Sequence, residues 1–143
     1  MSNEEGRTVV GRFEDVELGD ELPQESPDVS MARVRTFVGA AQMNWGRFTD
    51  HEFARGEGFP GAIVPGIMSQ GLLAAMIHRW APGSRVLKID TVFRTPMIVD
   101  SHPVCKGAVT DTDDENRTVE IDLTIVTDRG ETSVLGTAIV QLP

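Results

Sequence analysis

Residues 58–80, reading GFPGAIVPGIMSQGLLAAMIHRW, restrict the fold more than any other part of the chain. A loop rich in glycine and proline (Gly58, Pro60, Gly61, Pro65, Gly66) runs directly into an apolar segment that stops before Pro82-Gly83. Proline suits a helix start, where its missing N–H is not needed, and a Pro-Gly pair cannot extend a helix end, so the punctuation marks one helix. Wound at about 3.6 residues per turn, Ser69, Gln70, His78 and Arg79 point in scattered directions and leave no continuous water-facing stripe. Such a helix is predicted to be buried on most sides, and the rest of the chain has to cover it.

The cover is predicted to be β-structure. In SRVLKIDTVFRT, Leu87, Ile89, Thr91 and Phe93 alternate with Lys88, Asp90 and Arg94, which reads as a strand with one buried face. Residues 103–110 form a second strand with weaker alternation, followed by the acidic turn DTDDEN, which has no EF-hand spacing and reads as a solvated loop. TVEIDLTIV is the clearest strand, with Val119, Ile121, Leu123 and Ile125 opposing Glu120, Asp122 and Thr124, and SVLGTAIVQL closes the chain. Strands joined by short turns after one buried helix predict an α+β fold, an antiparallel meander wrapped about the helix. One curved sheet does not shield so apolar a helix, so a dimer of twofold symmetry is expected.

Upstream, residues 1–30 are predicted to be an extended arm, with a short apolar alternation at Thr8 to Phe13. Ser30 is placed to cap a short helix carrying Val34, Phe37, Val38 and Ala41. The segment MNWGRFTDHEFARGEG, Met43 to Gly58, has no sustained period and is predicted to be irregular apart from one turn over 50–55 capped by Asp50. An irregular segment beside a buried helix is where a site is expected.

The whole chain, 1–143, reads as one domain. Its net charge of -9 argues against binding a phosphate backbone. No apolar run reaches the roughly 20 residues that span a bilayer, and the acidic start MSNEEGRT is unlike a signal peptide, so the cytoplasm is the expected compartment. The single cysteine, Cys105, lies in a strand pattern without metal-ligand neighbours and is predicted to be a small core or interface residue; no metal site is expected.

Four stretches, Phe53-Ala54-Arg55, GFPGAIVPGIMSQGLL, VFRTPM (Val92 to Met97) and GTAIVQLP, together resemble the MaoC-like branch of the hot-dog fold, which includes the (R)-specific 2-enoyl-CoA hydratases and acyl-thioester dehydratases. The likeness runs from Val9 to the C-terminus. It implies a long central helix wrapped by a curved antiparallel sheet, and chemistry that adds water to a 2-enoyl thioester or removes it, as in fatty acid or steroid side-chain metabolism. Coenzyme A would arrive as part of the substrate, with no separate cofactor.

In that chemistry a carboxylate and an imidazole hold one water between them. The thioester oxygen gains negative charge, which backbone N–H groups at a helix N-terminus stabilise. Gly66 matches the family's glycine at that position, and Gly61 and Ile63 join it as substrate-binding candidates by resemblance. The family signature D-x-N-P-I-H-x-D, with an alanine four residues beyond its last acid, anchors on Asp50 and Ala54. Without a gap, Met43 and Phe48 fall at the aspartate and histidine positions; with a one-residue gap, Asn44 falls at the aspartate position and either Thr49 or no residue at the histidine position. Neither register keeps the pair. The catalytic candidates are then Asn44, which has no proton equilibrium near neutrality, and Asp50 with His51, whose side chains diverge by about 100° on a helical turn. His78 lies about 18 Å from Gly66 by helical rise, and His102 is predicted to be exposed.

The leading expectation is a hydratase-type subunit that binds an acyl-CoA thioester and is noncatalytic, or depends on a catalytic hot-dog partner. One alternative is an active hydratase using Asp50 and His51; another is a homodimeric acyl-thioester binding module without chemistry. Homodimer and heterodimer both stay open. A thioesterase is disfavoured because Ile67 to Ile77 carries no acid.

Overall fold

The alternation at 118–126 fixes the inner face of the sheet: Val119, Ile121, Leu123 and Ile125 are all buried, as a half-buried strand of period two requires. The computed structural model describes residues 9–143. A 3-10 turn at Phe13–Asp15 is followed by α1 Met31–Ala41, α2 Gly46–Thr49, α3 His51–Gly56 and α4 Gly66–Trp80, then β1 Arg85–Phe93, β2 Val104–Asp113, β3 Thr118–Val126 and β4 Thr132–Gln141. Ser30 caps α1 by accepting from the Arg33 N–H at 3.3 Å, and Asp50 caps α3 by accepting from the Phe53 N–H at 3.1 Å, both as expected from sequence. No helix among the described residues is long and apolar enough to cross a membrane.

The four antiparallel strands lie in the order β1-β4-β3-β2. Strands β2, β3 and β4 form the expected meander, while β1 pairs with β4 and so stands at the far edge. The buried side of α4 (Met68, Leu73, Met76, Ile77, Trp80) joins Val119, Ile121, Leu123, Ile125, Val134, Ala138 and Val140 in one core. This is the hot-dog arrangement.

Of the arm, residues 1–8, including Thr8, lie outside the described residues. The remainder runs antiparallel along β2: Glu25 and Cys105 exchange N–H···O bonds of 3.1 and 2.7 Å, and the Leu22 N–H donates to the Gly107 carbonyl at 2.9 Å. The Arg79 guanidinium at the end of α4 holds the Glu25 carboxylate through its Nε at 3.0 Å. That edge of the sheet is thereby covered.

Two features depart from the sequence reading. Within one chain α4 is buried on one side only: Ile67, Gly71 and His78 are exposed, and Ala74 is half-buried, along an opposite stripe. The stripe escapes a polarity pattern because three of its four residues, Ile67, Gly71 and Ala74, are small or apolar, and His78 alone is polar. The second departure lies in β1, where Leu87 and Phe93 are both exposed rather than core-facing: Phe93 stands at the strand's end, and at Leu87 the β1–β4 register shifts between Val86 and Lys88. A bulge inserts one residue and reverses the faces on either side of it, so Val86 and Ile89 pack on the core instead.

Candidate functional site

Residues 62–64 and 97–99 form a short antiparallel ladder beside the start of α4. The Val64 N–H donates to the Met97 carbonyl and the Val99 N–H to the Ala62 carbonyl, both at 2.8 Å, and Ile63 bridges Ile98. The ladder ends at Asp100, whose φ of 70° is in the left-handed region that Asp tolerates through local hydrogen bonding. Asp100 fastens three segments. Its N–H donates to the Val29 carbonyl at 2.9 Å, its Oδ1 accepts from the Met31 N–H of α1 at 2.8 Å, and its Oδ2 meets His51 Nε2 at 2.9 Å.

His51 is the first residue of α3. Its Nδ1 accepts from the Ala62 N–H at 3.0 Å. A ring nitrogen that accepts carries no proton, so in the neutral ring the proton sits on Nε2 and is donated to Asp100. Gly61 makes room for the ring: a Cβ there would lie 2.9 Å from Nδ1 and 3.3 Å from Ile98 Cγ2. The Asp100 carboxyl is held below its ordinary 3.8 by the His51 hydrogen bond, the Met31 N–H and the nearby charges of His51 and Arg35. Both ring nitrogens of His51 are engaged, and each Asp100 oxygen holds one of these bonds. A general base needs a free lone pair at the proton it removes, so the His51 imidazole as folded acts as a fastener rather than a base.

The N-terminus of α4 opens on a cavity of about 370 Å³. Ile63, Val64, Met97 and Val134 give it an apolar wall, and Ser69, Thr95 and Ser133 also line it. Gly66 and Phe93 stand at the helix start, where a Cβ on Gly66 would come within 2.9 Å of Phe93 Cζ. The N–H groups of Met68 and Ser69 donate to the Pro65 carbonyl at 3.0 and 3.1 Å, while those of Gly66 and Ile67 have no acceptor among the described residues. Two free N–H groups at a helix N-terminus form a local positive end suited to a carbonyl oxygen that gains charge. Arg94 is the single charged residue of the lining; no Asp, Glu, His or Cys belongs to it among the described residues. A second cavity, of about 570 Å³, shares Thr95 and Pro96 with the first and is bordered by Ser101, Asp128, Arg129 and Glu131.

The candidates read from sequence therefore separate. Gly66 and Ile63 line the first cavity, while Gly61 seats the His51 ring. Asn44 is exposed on the chain between α1 and α2, and Asp50 spends its carboxylate on capping α3. His51 is not a free helix-surface histidine; it is 29% exposed in its side chain and pairs with Asp100 rather than Asp50. At the ungapped dyad positions stand Met43 and Phe48, both packed against the core. His78 and His102 are exposed. Asp100, Thr95, Ser69 and Ser133 were not among the candidates.

A long helix on one face of a four-stranded antiparallel sheet, with an apolar cavity at the helix N-terminus, defines a hot-dog fold. Solved structures agree. The (R)-hydratase from A. caviae involved in PHA biosynthesis is similar at a TM-score of 0.85 and 24% identity, over 90% of this chain and 98% of that one. A MaoC-like dehydratase gives a TM-score of 0.86 at 25% identity over 99% of this chain but 45% of its own, so this chain spans about half its length. A chain of the ChsH1-ChsH2 complex from Mycobacterium tuberculosis gives 0.82 at 16% identity, over 90% of this chain and 99% of that one. No protein-family model and no curated protein matches the sequence. The chain has the hot-dog fold of these hydratases and dehydratases.

Proposed function

We propose that this chain is a hydratase-type hot-dog subunit that binds an acyl-CoA thioester in the cavity at the start of α4 and takes its proton-transferring groups, if turnover occurs, from a partner chain. The observation that carries the reading is the division between the two sites. The cavity has free N–H donors and an apolar wall without an acid or an imidazole among the described residues, while the His51 ring is engaged at both nitrogens, by Asp100 and the Ala62 N–H. In this reading the thioester oxygen takes the Gly66 and Ile67 N–H groups, the acyl chain lies along Ile63, Val64 and Met97, and coenzyme A is part of the ligand. The compartment is cytoplasmic.

An exposed apolar stripe on α4 and the open edge of β1, with Val92 and Phe93 exposed, favour a second hot-dog chain against this side. The likeness to a chain of a two-component complex supports a heteromeric partner. The test is hydration of short, long and bulky 2-enoyl-CoAs by the purified chain, with binding followed by calorimetry and composition by native mass spectrometry. Binding without turnover, with turnover restored by a second hot-dog chain bearing an intact Asp and His, supports the proposal. Turnover by the chain alone that His51→Ala abolishes refutes it in favour of an active hydratase, and a homodimer that binds but never turns over with any partner makes it a binding module.

A further inference from the structure

We propose that Phe93 is a specificity-determining residue of the cavity at the start of α4, where it admits acyl groups unbranched at C2, the carbon next to the thioester carbonyl, and excludes those that carry a methyl group there. The inference rests on reading the cavity as the acyl site and goes on to name the substrate class that site takes. Ring distances fix where the Phe93 side chain points: a Cβ built on Gly66 would lie 2.9 Å from its Cζ, 3.1 Å from Cε2 and 3.3 Å from Cε1. The tip of the ring therefore stands against the Gly66 Cα, and both residues line the cavity.

Neither side of this contact retreats freely. Gly66 is main chain of the first turn of α4, which the Met68 and Ser69 N–H bonds to the Pro65 carbonyl hold in place. Phe93 is the last residue of β1, in register with Val134 of β4, and the next N–H, that of Arg94, donates to the Ser133 carbonyl at 2.8 Å. Only the ring itself has freedom, since Phe93 is 52% exposed. An outward swing gives up the apolar surface that the cavity wall now covers, so the ring yields at a cost.

The geometry of a thioester brings C2 to this place. A carbonyl oxygen on the Gly66 or Ile67 N–H lies about 2.9 Å from the nitrogen, and C2, two bonds from that oxygen, is roughly 2.4 Å from it. C2 thus stays within about 5 Å of the helix start however the acyl group is rotated. A linear chain carries only hydrogen at C2 and continues along Ile63, Val64 and Met97. A methyl on C2 needs room beside the carbonyl, and a carbon one bond from Gly66 already comes closer to the Phe93 ring than real Cβ atoms do. One methyl group too many in an apolar pocket changes selection by about 10- to 200-fold; a half-exposed ring that yields in part puts Phe93 at the low end.

The experiment measures binding of butanoyl-CoA, 2-methylbutanoyl-CoA and 3-methylbutanoyl-CoA to the full chain by calorimetry at one fixed protein concentration. All three are saturated, so no hydration competes with binding. The parent is expected to bind butanoyl-CoA about tenfold more tightly than the 2-methyl compound. Phe93→Ala is expected to bring that ratio close to one by tightening the 2-methyl ligand, Phe93→Leu to give an intermediate ratio, and the 3-methyl isomer, branched one carbon further on, to respond to neither. Circular dichroism and thermal melting check that the variants fold, and should Phe93→Ala not fold, a parental ratio in Phe93→Leu overturns the proposal. Equal parental affinities for butanoyl-CoA and the 2-methyl compound, a ratio that survives Phe93→Ala, or an equal shift of all three ligands overturns it as well, while leaving the acyl-site reading in place. Failure of all three thioesters to bind overturns both.

Discussion

Replacing Gly61 by Ala tests whether the His51–Asp100 pair fastens the fold. The backbone itself tolerates alanine, because Gly61 is not among the glycines of positive φ. The added methyl group would stand 2.9 Å from His51 Nδ1 and 3.3 Å from Ile98 Cγ2. Neither side yields easily, since the ring is held by the Ala62 N–H at 3.0 Å and by Asp100 at 2.9 Å. Overpacking costs about 1–3 kcal/mol, and a displaced ring loses at least one hydrogen bond worth roughly 1 kcal/mol, toward the low end where Asp100 is solvent-exposed. The stiffer unfolded chain returns about 0.4–1 kcal/mol. The expected net loss is about 1–3 kcal/mol, or a urea midpoint lower by about 1 M. Gly39→Ala is the control, since it sits within α1 with nothing within 4 Å of its would-be Cβ, and there alanine is expected to stabilise by roughly 0.5–1 kcal/mol. Urea unfolding at one fixed protein concentration reads both variants, and ring ¹⁵N shifts of His51 report whether Nδ1 remains the unprotonated nitrogen. Gly61→Ala at parental stability with that tautomer intact would refute the fastener.

The pH dependence follows from Asp100, whose carboxyl is held below 3.8 in the folded chain. Its contribution is complete above the unfolded value and fades as pH falls through the lower folded value, so the stability gap between the parent and Asp100→Asn is expected to be constant above about pH 5 and to shrink in more acidic urea titrations. Leu73→Ala, at a fully buried position between α4 and the sheet, is expected to cost about 3–4 kcal/mol in the same unfolding assay. Burial pushes the Cys105 thiol up to about 12, so a thiol reagent at pH 8 is expected to leave it unmodified in the folded chain and to label it fully in urea.

Much of the fold was legible because local pattern and tertiary packing agree. The period-two run at 118–126 names its own inner face, and Ser30 and Asp50 cap the helices that their spacing suggests. The signal fails where a single residue changes register. The bulge at Leu87 turns a regular alternation into a strand whose core contacts are Val86 and Ile89, and no feature of SRVLKIDTVF distinguishes it from an unbulged strand. Nor does periodicity say that β1 pairs with β4 rather than β2. On α4, small and apolar residues read as buried from every direction, although a single chain covers only one side.

The site was less legible because its decisive contacts cross large sequence separations. Asp50 and His51 are neighbours in sequence, yet the cap requirement of α3 commits Asp50 to the Phe53 N–H. Side chains in the first turn of a helix lean toward its N-terminus, and His51 accordingly meets the loop at Ala62 and the carboxylate 49 positions later in the chain. Asp100 could only be found from its left-handed backbone, which a sequence does not display; VDS reads as an ordinary turn. The same geometry explains how the scaffold can keep a cavity while lacking an acid–base pair inside it. The imidazole that lies nearest the expected dyad position in sequence joins α3, the loop before α4 and the start of α1 through Asp100, so the segment that would present a catalytic pair is held in place by its own histidine. Restoring a histidine at Phe48 alone would not restore chemistry on this reading, because Met43, at the ungapped aspartate position, leaves the new ring without a carboxylate with which to share a water.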